Sequence, residues 1–265
     1  MNQQIKNLIN QAVIKIIENS SSANKINHLK KKHNVKIHFI PKRYRIFGGI
    51  LQSMNIQFGN FVEQLMNLLI QNDEKYEIIK DYSGKKSNKF ELSSTNETLI
   101  DKYITRCQTE NTKIETEFPK LLNEIISDTD TKTSKFNHDI DLLFKDKQTG
   151  VIYYLECKYN DDHDTGKFVD INRKFIKTYA YLVRELNIKD SKKLVPILFF
   201  FTNKKMKGNI YVPEETNIYR GKKFFEQFLN IKYEEVDEYL ANLSEDKETI
   251  KSFKTLYDKI MNIGL

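Results

Sequence analysis

Only two cysteines, Cys107 and Cys157, occur among the 265 residues of this chain. That is too few for a disulfide framework and suits a reducing cytoplasm. No apolar run approaches the roughly 18 residues that would cross a bilayer, so no membrane span is expected. Residues 1–20 are amphipathic, with Lys6 and Lys15 interrupting them, and contain no signal-peptide core. No stretch reads GxxxxGK[ST], which excludes ATP-driven translocation by this chain. Repeats and Pro/Ser-rich linkers are also missing. The acidic stretch YNDDHDTGK at 159–167 does not make an EF-hand, because glycine is not at the sixth loop position and the closing glutamate is absent. His163 within it has no spaced His or Cys partners for a transition-metal site.

What the chain has in excess is positive charge. Lys and Arg number 43 against 36 Asp and Glu, a net charge of +7. This permits nucleic-acid binding without diagnosing it, since a lysine-rich solvated surface gives the same balance.

The most informative stretch is NHDIDLLFKDKQTGVIYYLECK, residues 137–158. Residues 138–144 are apolar and β-branched, 145–150 are polar and end in glycine, and 151–158 are again aromatic and β-branched. The pattern predicts a hairpin. The run VIYYLEC is nearly unbroken up to Glu156, as in a strand covered on both faces. Side chains alternate along a strand, so Glu156 and Lys158 share a face opposite Cys157, and Asp139 and Asp141 share one on the partner. Burying such a set costs several kcal/mol per ion (roughly) unless the charges pair or hold a cation. Mg²⁺ takes oxygen ligands, commonly one or two carboxylates completed by water and phosphate. Asp141 and Glu156 fit as metal ligands, with the Cys157 carbonyl as a third. Lys158 is then placed to act on the attacking water or on the charge that builds on a phosphate. The competing reading is an edge hairpin with a solvated Glu156–Lys158 pair.

Asp141 followed by Glu156-Cys157-Lys158 resembles the PD-(D/E)XK nuclease motif, with Ile140 where the motif has proline. The resemblance implies an α/β fold with a restriction-endonuclease-like core, a mixed sheet flanked by helices, to which the apolar periodicity adds helices at both ends. It implies Mg²⁺ dependence, with Mn²⁺ able to substitute, and cleavage of double-stranded DNA. Asp141 and Glu156 carry over as metal ligands and Lys158 as the catalytic lysine. Many of these nucleases carry a glutamate on the first core helix, and QFGNFVEQL looks like that element, making Glu63 an accessory ligand or a residue behind one. A carboxylate favoured by the helix macrodipole explains Glu63 equally well.

Within the group, the chain resembles type II restriction endonucleases in size and in lacking an attached ATPase. The stretch HFIPKRYR…GGILQSMNIQFGN looks like the small enzymes of the HinfI kind. Such enzymes imply a homodimer on a palindromic site, a cytoplasmic location and a cognate DNA methyltransferase in the same system that is not a stable subunit. A junction resolvase or repair nuclease on the same core, and a non-catalytic DNA-binding protein, remain alternatives.

Along the chain, residues 2–18 and 23–33 read as helices. Residues 35–40 alternate like a strand, 41–45 form a basic loop around Tyr44, and Gly48-Gly49 is a break, with a helix starting at Gly59. Lys42, Arg43 and Arg45 are expected to contact DNA. Residues 71–98 read as a polar connection, and 82–89 within them as a DNA-contacting loop or a solvated one. Helices are expected at 99–106 and 113–126. After the hairpin, Asp170 is expected to cap a long helix whose polar side carries Arg173, Lys174 and Lys177, where they could meet phosphates; Arg173 and Lys174, with Lys167, are further expected DNA contacts. A buried strand at 194–202, a short one at 209–212 and helices at 221–229 and 233–262 complete the reading. The expected organisation is one nuclease domain over 1–265: a helical extension at 1–48, a catalytic core at 49–212 and C-terminal helices at 213–265.

Overall fold

The computed structural model describes residues 1–264, with the side chains of residues 85–88 excepted. Two compact units emerge, one made of Met1–Leu65 with Ile231–Leu265 and the other of Met66–Asn230.

The first unit is helical: α1 (Gln3–Ser20), α2 (Ala23–Asn34), α3 (Lys42–Gln71, which ends in the second unit), α8 (Tyr233–Ser244) and α9 (Lys247–Met261). Side chains of Asn2, Ser22 and Asp246 accept hydrogen bonds from first-turn amides and so start α1, α2 and α9. Ile26 and Leu29 of α2, Ile46 and Ile50 of α3, and Leu256 and Ile260 of α9 close a small apolar core.

Here the structure corrects the sequence reading. Residues 35–40 pair with no strand among the described residues, and Lys42 to Gln71 form one helix without a break at Gly48-Gly49. Alternation signals a strand only where a neighbouring edge accepts its hydrogen bonds, and none is present here. Gly49 is a close-packing residue: a Cβ there would come within 2.8 Å of a Leu29 methyl. Lys42, Arg43 and Arg45 therefore lie on the first turn of α3, directly after Pro41, a residue suited to a helix start. Glu63 is not near the start of its helix, so the macrodipole argument for it falls.

The second unit holds a mixed five-stranded sheet in the order β1 (Tyr76–Ile78), β4 (Leu142–Asp146), β5 (Ile152–Lys158), β6 (Leu194–Phe200), β7 (Ile218–Arg220). β1, β4 and β5 are antiparallel neighbours, whereas β5, β6 and β7 run parallel. A separate antiparallel pair joins β2 (Gly84–Ser93) to β3 (Thr133–Ile140). α4 (Ser94–Thr109), α5 (Ile114–Ile126), α6 (Thr165–Glu185) and α7 (Gly221–Phe228) flank the strands. This is the α/β restriction-endonuclease-like architecture expected, with α6 as the crossover between parallel β5 and β6.

One face of the central sheet packs on α6, where the rings of Tyr154 and Phe175 stack at 5.3 Å. The other face carries Phe144, Tyr153 and Phe228 in mutual ring contact, Phe228 coming from α7. The β4–β5 hairpin turns through Asp146, whose side chain accepts from the amides of Gln148 and Thr149, each at 2.9 Å. Gly150 completes the turn at φ +70°, a conformation that favours glycine.

Four further expectations are corrected. Residues 71–98 include β1 and β2, so 82–89 is largely strand; the side chains of 85–88, on which the DNA-loop reading rested, lie outside the described residues. The strand expected at 138–144 is split between two sheets, because the chain bends at Asp141. Asp164, not Asp170, caps α6, accepting from the Lys167 amide at 2.9 Å. Residues 209–212 form no strand; the next one is β7, where Ile218 and Tyr219 are buried.

Candidate active site

β5 presents Tyr154, Glu156 and Lys158 on one face, as alternate positions of one strand must. Glu156 is only 4% exposed. Its Oε1 accepts from the Lys158 ammonium at 2.7 Å and its Oε2 from the Tyr154 hydroxyl at 2.9 Å. His138, from β3, places Nε2 3.7 Å from the same Oε2.

Asp141 arrives from the bend between β3 and β4. The Cys157 amide donates to its Oδ2 at 2.8 Å, and the Lys158 nitrogen lies 3.6 Å from that oxygen. The ammonium also donates to the Cys157 carbonyl at 2.9 Å. Three oxygens of different origin, from Asp141, Glu156 and the Cys157 backbone, thus converge on one positive charge.

The electrostatics follow from this convergence. Burial disfavours ionised Glu156, but the Lys158 charge, with a lesser contribution from His138, outweighs it and holds the carboxyl well below its ordinary range. Burial likewise opposes the Lys158 charge, yet Glu156 and Asp141 hold its ammonium well above the usual lysine value. Burial, then the Glu156 and Asp141 charges, push the Tyr154 phenol far up, which keeps it a proton donor.

Asp141, Glu156, Lys158 and the Cys157 carbonyl are therefore brought together. Glu63 belongs to α3 in the first unit. The Lys42 and Arg43 side chains are half-buried and exposed, respectively, whereas Arg45 donates to the Lys36 carbonyl at 3.2 Å. On α6, Arg173 pairs with Asp101 at 3.0 Å, Lys174 with Asp170 at 2.9 Å, and the Lys167 amide serves the Asp164 cap.

Tyr154 and His138 were not singled out from the sequence. The alternation that paired Glu156 with Lys158 also points to Tyr154, two positions earlier; His138 has no such signal, because it sits on the other sheet. Also missed was Asp161, three residues beyond Lys158 and 1% exposed. Its oxygens accept from the Met206 and Lys207 amides at 3.0 and 3.1 Å and face Arg220 at 3.0 Å. This network ties together the chain segments leaving β5, β6 and β7.

Among the described residues no group of three His, Cys, Asp or Glu side chains is placed to hold a metal ion. Two carboxylates and a backbone carbonyl nevertheless suit a hard cation that completes its shell with water and phosphate. The lysine ammonium at their centre marks the place as one that accepts positive charge.

Residues 1–244 match the family model described as "Type II restriction endonuclease, HinfI". The mixed sheet and its Asp, Glu and Lys cluster thus belong to a type II restriction endonuclease. Over 262 residues, 98% of this chain and 99% of the relative, it is 65% identical to the type II restriction enzyme HinfI of Haemophilus influenzae. The chain belongs to the HinfI family of type II restriction endonucleases, hydrolases that cut double-stranded DNA at a defined base sequence. Enzymes of this type generally use divalent metal ions. No solved structure matches it. No helix of the described residues is long and apolar enough to cross a membrane.

Proposed function

We propose that Asp141, Glu156 and Lys158 form the hydrolytic centre of this enzyme and that its cofactor is Mg²⁺, with Mn²⁺ able to substitute. The observation that carries the reading is the convergence of Asp141, Glu156 and Cys157 oxygens on the Lys158 ammonium. Asp141, Glu156 and the Cys157 carbonyl would hold the ion. When bound, the ion polarises phosphoryl oxygens and acidifies water.

The chain's own groups do the rest. The Cys157 amide fixes Asp141 against β5, and the Tyr154 hydroxyl orients Glu156. Lys158 offers its ammonium, on a flexible stem, to the negative charge that grows on the phosphate during in-line attack by water. Glu63 is proposed as an accessory carboxylate. Lys42, Arg43, Arg45, Lys167, Arg173 and Lys174 are proposed to contact DNA; Arg173 and Lys174 would exchange an internal carboxylate for phosphate in doing so.

The proposal extends to residues 1–265 working as one nuclease, as a homodimer matched to a two-fold DNA site. It works in the cytoplasm beside a separate methyltransferase that protects the host's own sites. The test is digestion of a sequenced plasmid by purified wild-type, Asp141→Ala and Glu156→Gln proteins in Mg²⁺, with DNA binding measured in Ca²⁺. Discrete fragments from the wild type alone, with binding retained in both variants, are expected. Near-normal turnover in either variant overturns the site.

A further inference from the structure

Residues 35–41, between α2 and α3, belong to no helix or strand, yet they carry the most exposed apolar side chains of the described residues. Ile37 is fully exposed, Phe39 is 93% exposed and Val35 83%. Water-exposed groups of this size mark a surface that a partner covers. A bond from α3 ties the segment to that helix, and two contacts order it internally. Arg45 donates to the Lys36 carbonyl at 3.2 Å, the Ile40 amide donates to His38 Nδ1 at 2.9 Å, and the His38 and Phe39 rings stack at 5.0 Å.

Charge identifies the partner. From residue 19 to residue 62 there is no Asp or Glu, whereas Lys36, Lys42, Arg43 and Arg45 crowd this one segment. Burial, and then the surrounding positive charges of Arg45, Lys32 and Lys36, lower the pKa of His33 nearby. Arg45 Nε has no hydrogen-bond partner. A second copy docking the same patch across a two-fold axis would set Lys36, Lys42 and Arg43 against their own counterparts. DNA offers phosphates to the cations and, between its backbones, apolar sugar and base surface to the side chains that alternate with them. A thin, irregular arm suits the narrow minor groove, whereas the major groove takes helices and ribbons.

We propose that residues 35–41 form a DNA-inserting arm: Ile37 and Phe39 enter the minor groove and unstack a base step, while Lys36, Lys42 and Arg43 hold the flanking phosphates. This rests on the reading of the basic segment as DNA-facing, and the test separates the two.

Full-length wild type, Phe39→Ala and the double variant Lys42→Ala/Arg43→Ala are titrated in Ca²⁺ against a duplex bearing the cleavage site, with 2-aminopurine replacing adenines, over a salt series. Phe39→Ala is expected to weaken binding about 5- to 150-fold at every salt concentration, the range for one lost stacking contact. It leaves the log–log salt slope unchanged, because an apolar contact releases no counterions, and it abolishes the rise in 2-aminopurine fluorescence. The double variant lowers the slope by about 0.9 per lost phosphate contact. Unchanged affinity and fluorescence in Phe39→Ala, with the slope still lowered in the double variant, overturn insertion alone. An unchanged slope in the double variant removes the DNA-facing reading beneath it. Conversion of a dimer to monomer by Phe39→Ala in sedimentation without DNA would make the arm a subunit contact and overturn the proposal. Phe39 makes too little contact with the fold for its truncation to unfold the protein, and an unchanged melting temperature checks this.

Discussion

The backbone amide of Cys157 donates to Asp141 Oδ2 across 2.8 Å. The carboxylate at the bend between two sheets is thereby fastened to the strand that carries Glu156 and Lys158. A side chain at a bend would otherwise sample several rotamers; this bond selects one that also leaves Oδ2 3.6 Å from the Lys158 nitrogen. Pre-set geometry of this kind is where much of the rate of a hydrolytic site originates.

Asparagine at 141 keeps an acceptor for the Cys157 amide and loses the charge, whereas alanine loses both. Cleavage is expected to vanish in Asp141→Asn and Asp141→Ala alike. Alanine alone leaves the amide unsatisfied, at about 1–3 kcal/mol of stability. Urea unfolding of both variants measures the difference. Equal stability would mean that the Cys157 bond does not position Asp141.

Removal of the ammonium in Lys158→Met leaves Glu156 and Asp141 close together without their cation. Breaking a buried pair in this way costs about 3–5 kcal/mol at full burial, and less here because the lysine side chain keeps 22% exposure. Activity should be lost. Added Mg²⁺ or Ca²⁺ should raise the melting temperature of this variant more than that of the wild type, since the ion takes over the place of the ammonium. If neither cation raises the melting temperature of either protein, the three oxygens do not form a cation site.

Tyr154→Phe deletes only the hydroxyl that donates to Glu156 Oε2. Loss of a group that orients a metal ligand typically costs about 10- to 100-fold in metal affinity or activity. The expected result is a higher Mg²⁺ concentration for half-maximal cleavage and weaker Mg²⁺ binding by calorimetry, with DNA affinity in saturating Ca²⁺ unchanged. An unaltered Mg²⁺ dependence would reduce Tyr154 to a packing residue.

The hairpin turn makes a pH prediction. Amides of Thr149 and Gln148 hold the Asp146 carboxyl below its ordinary value of 3.8, against an opposing effect of burial. Because the folded value is the lower one, the stabilisation is complete above 3.8 and is lost as pH falls through the folded value. Asp146→Ala should therefore destabilise the protein near neutrality and show a weaker loss of stability in acid than the wild type. Thermal unfolding between pH 2 and 6 (roughly) provides the comparison, and parallel curves would refute the assignment.

The sequence by itself determined much of the second unit. The alternation in VIYYLECK and the polar turn before it specified the β4–β5 hairpin and put Glu156 and Lys158 on one face, since strand geometry leaves no other choice. Apolar periodicity located α4, α5 and α6 for the same local reason. Tertiary structure alone decided the rest. The bend that splits 138–144 between two sheets depends on which edges pair, and pairing partners such as β2 lie far off in the chain. Gly48-Gly49 reads locally as a break, yet it lies inside the single helix 42–71, where Gly49 packs close against Leu29, a contact that no local propensity encodes. His138 reached Glu156, and Arg220 reached Asp161, only once separate strands had been set side by side. Local periodicity dictates elements and faces. Which faces meet is a matter of burial summed over the whole chain, and that sum alone brought His138 to the strand bearing Glu156.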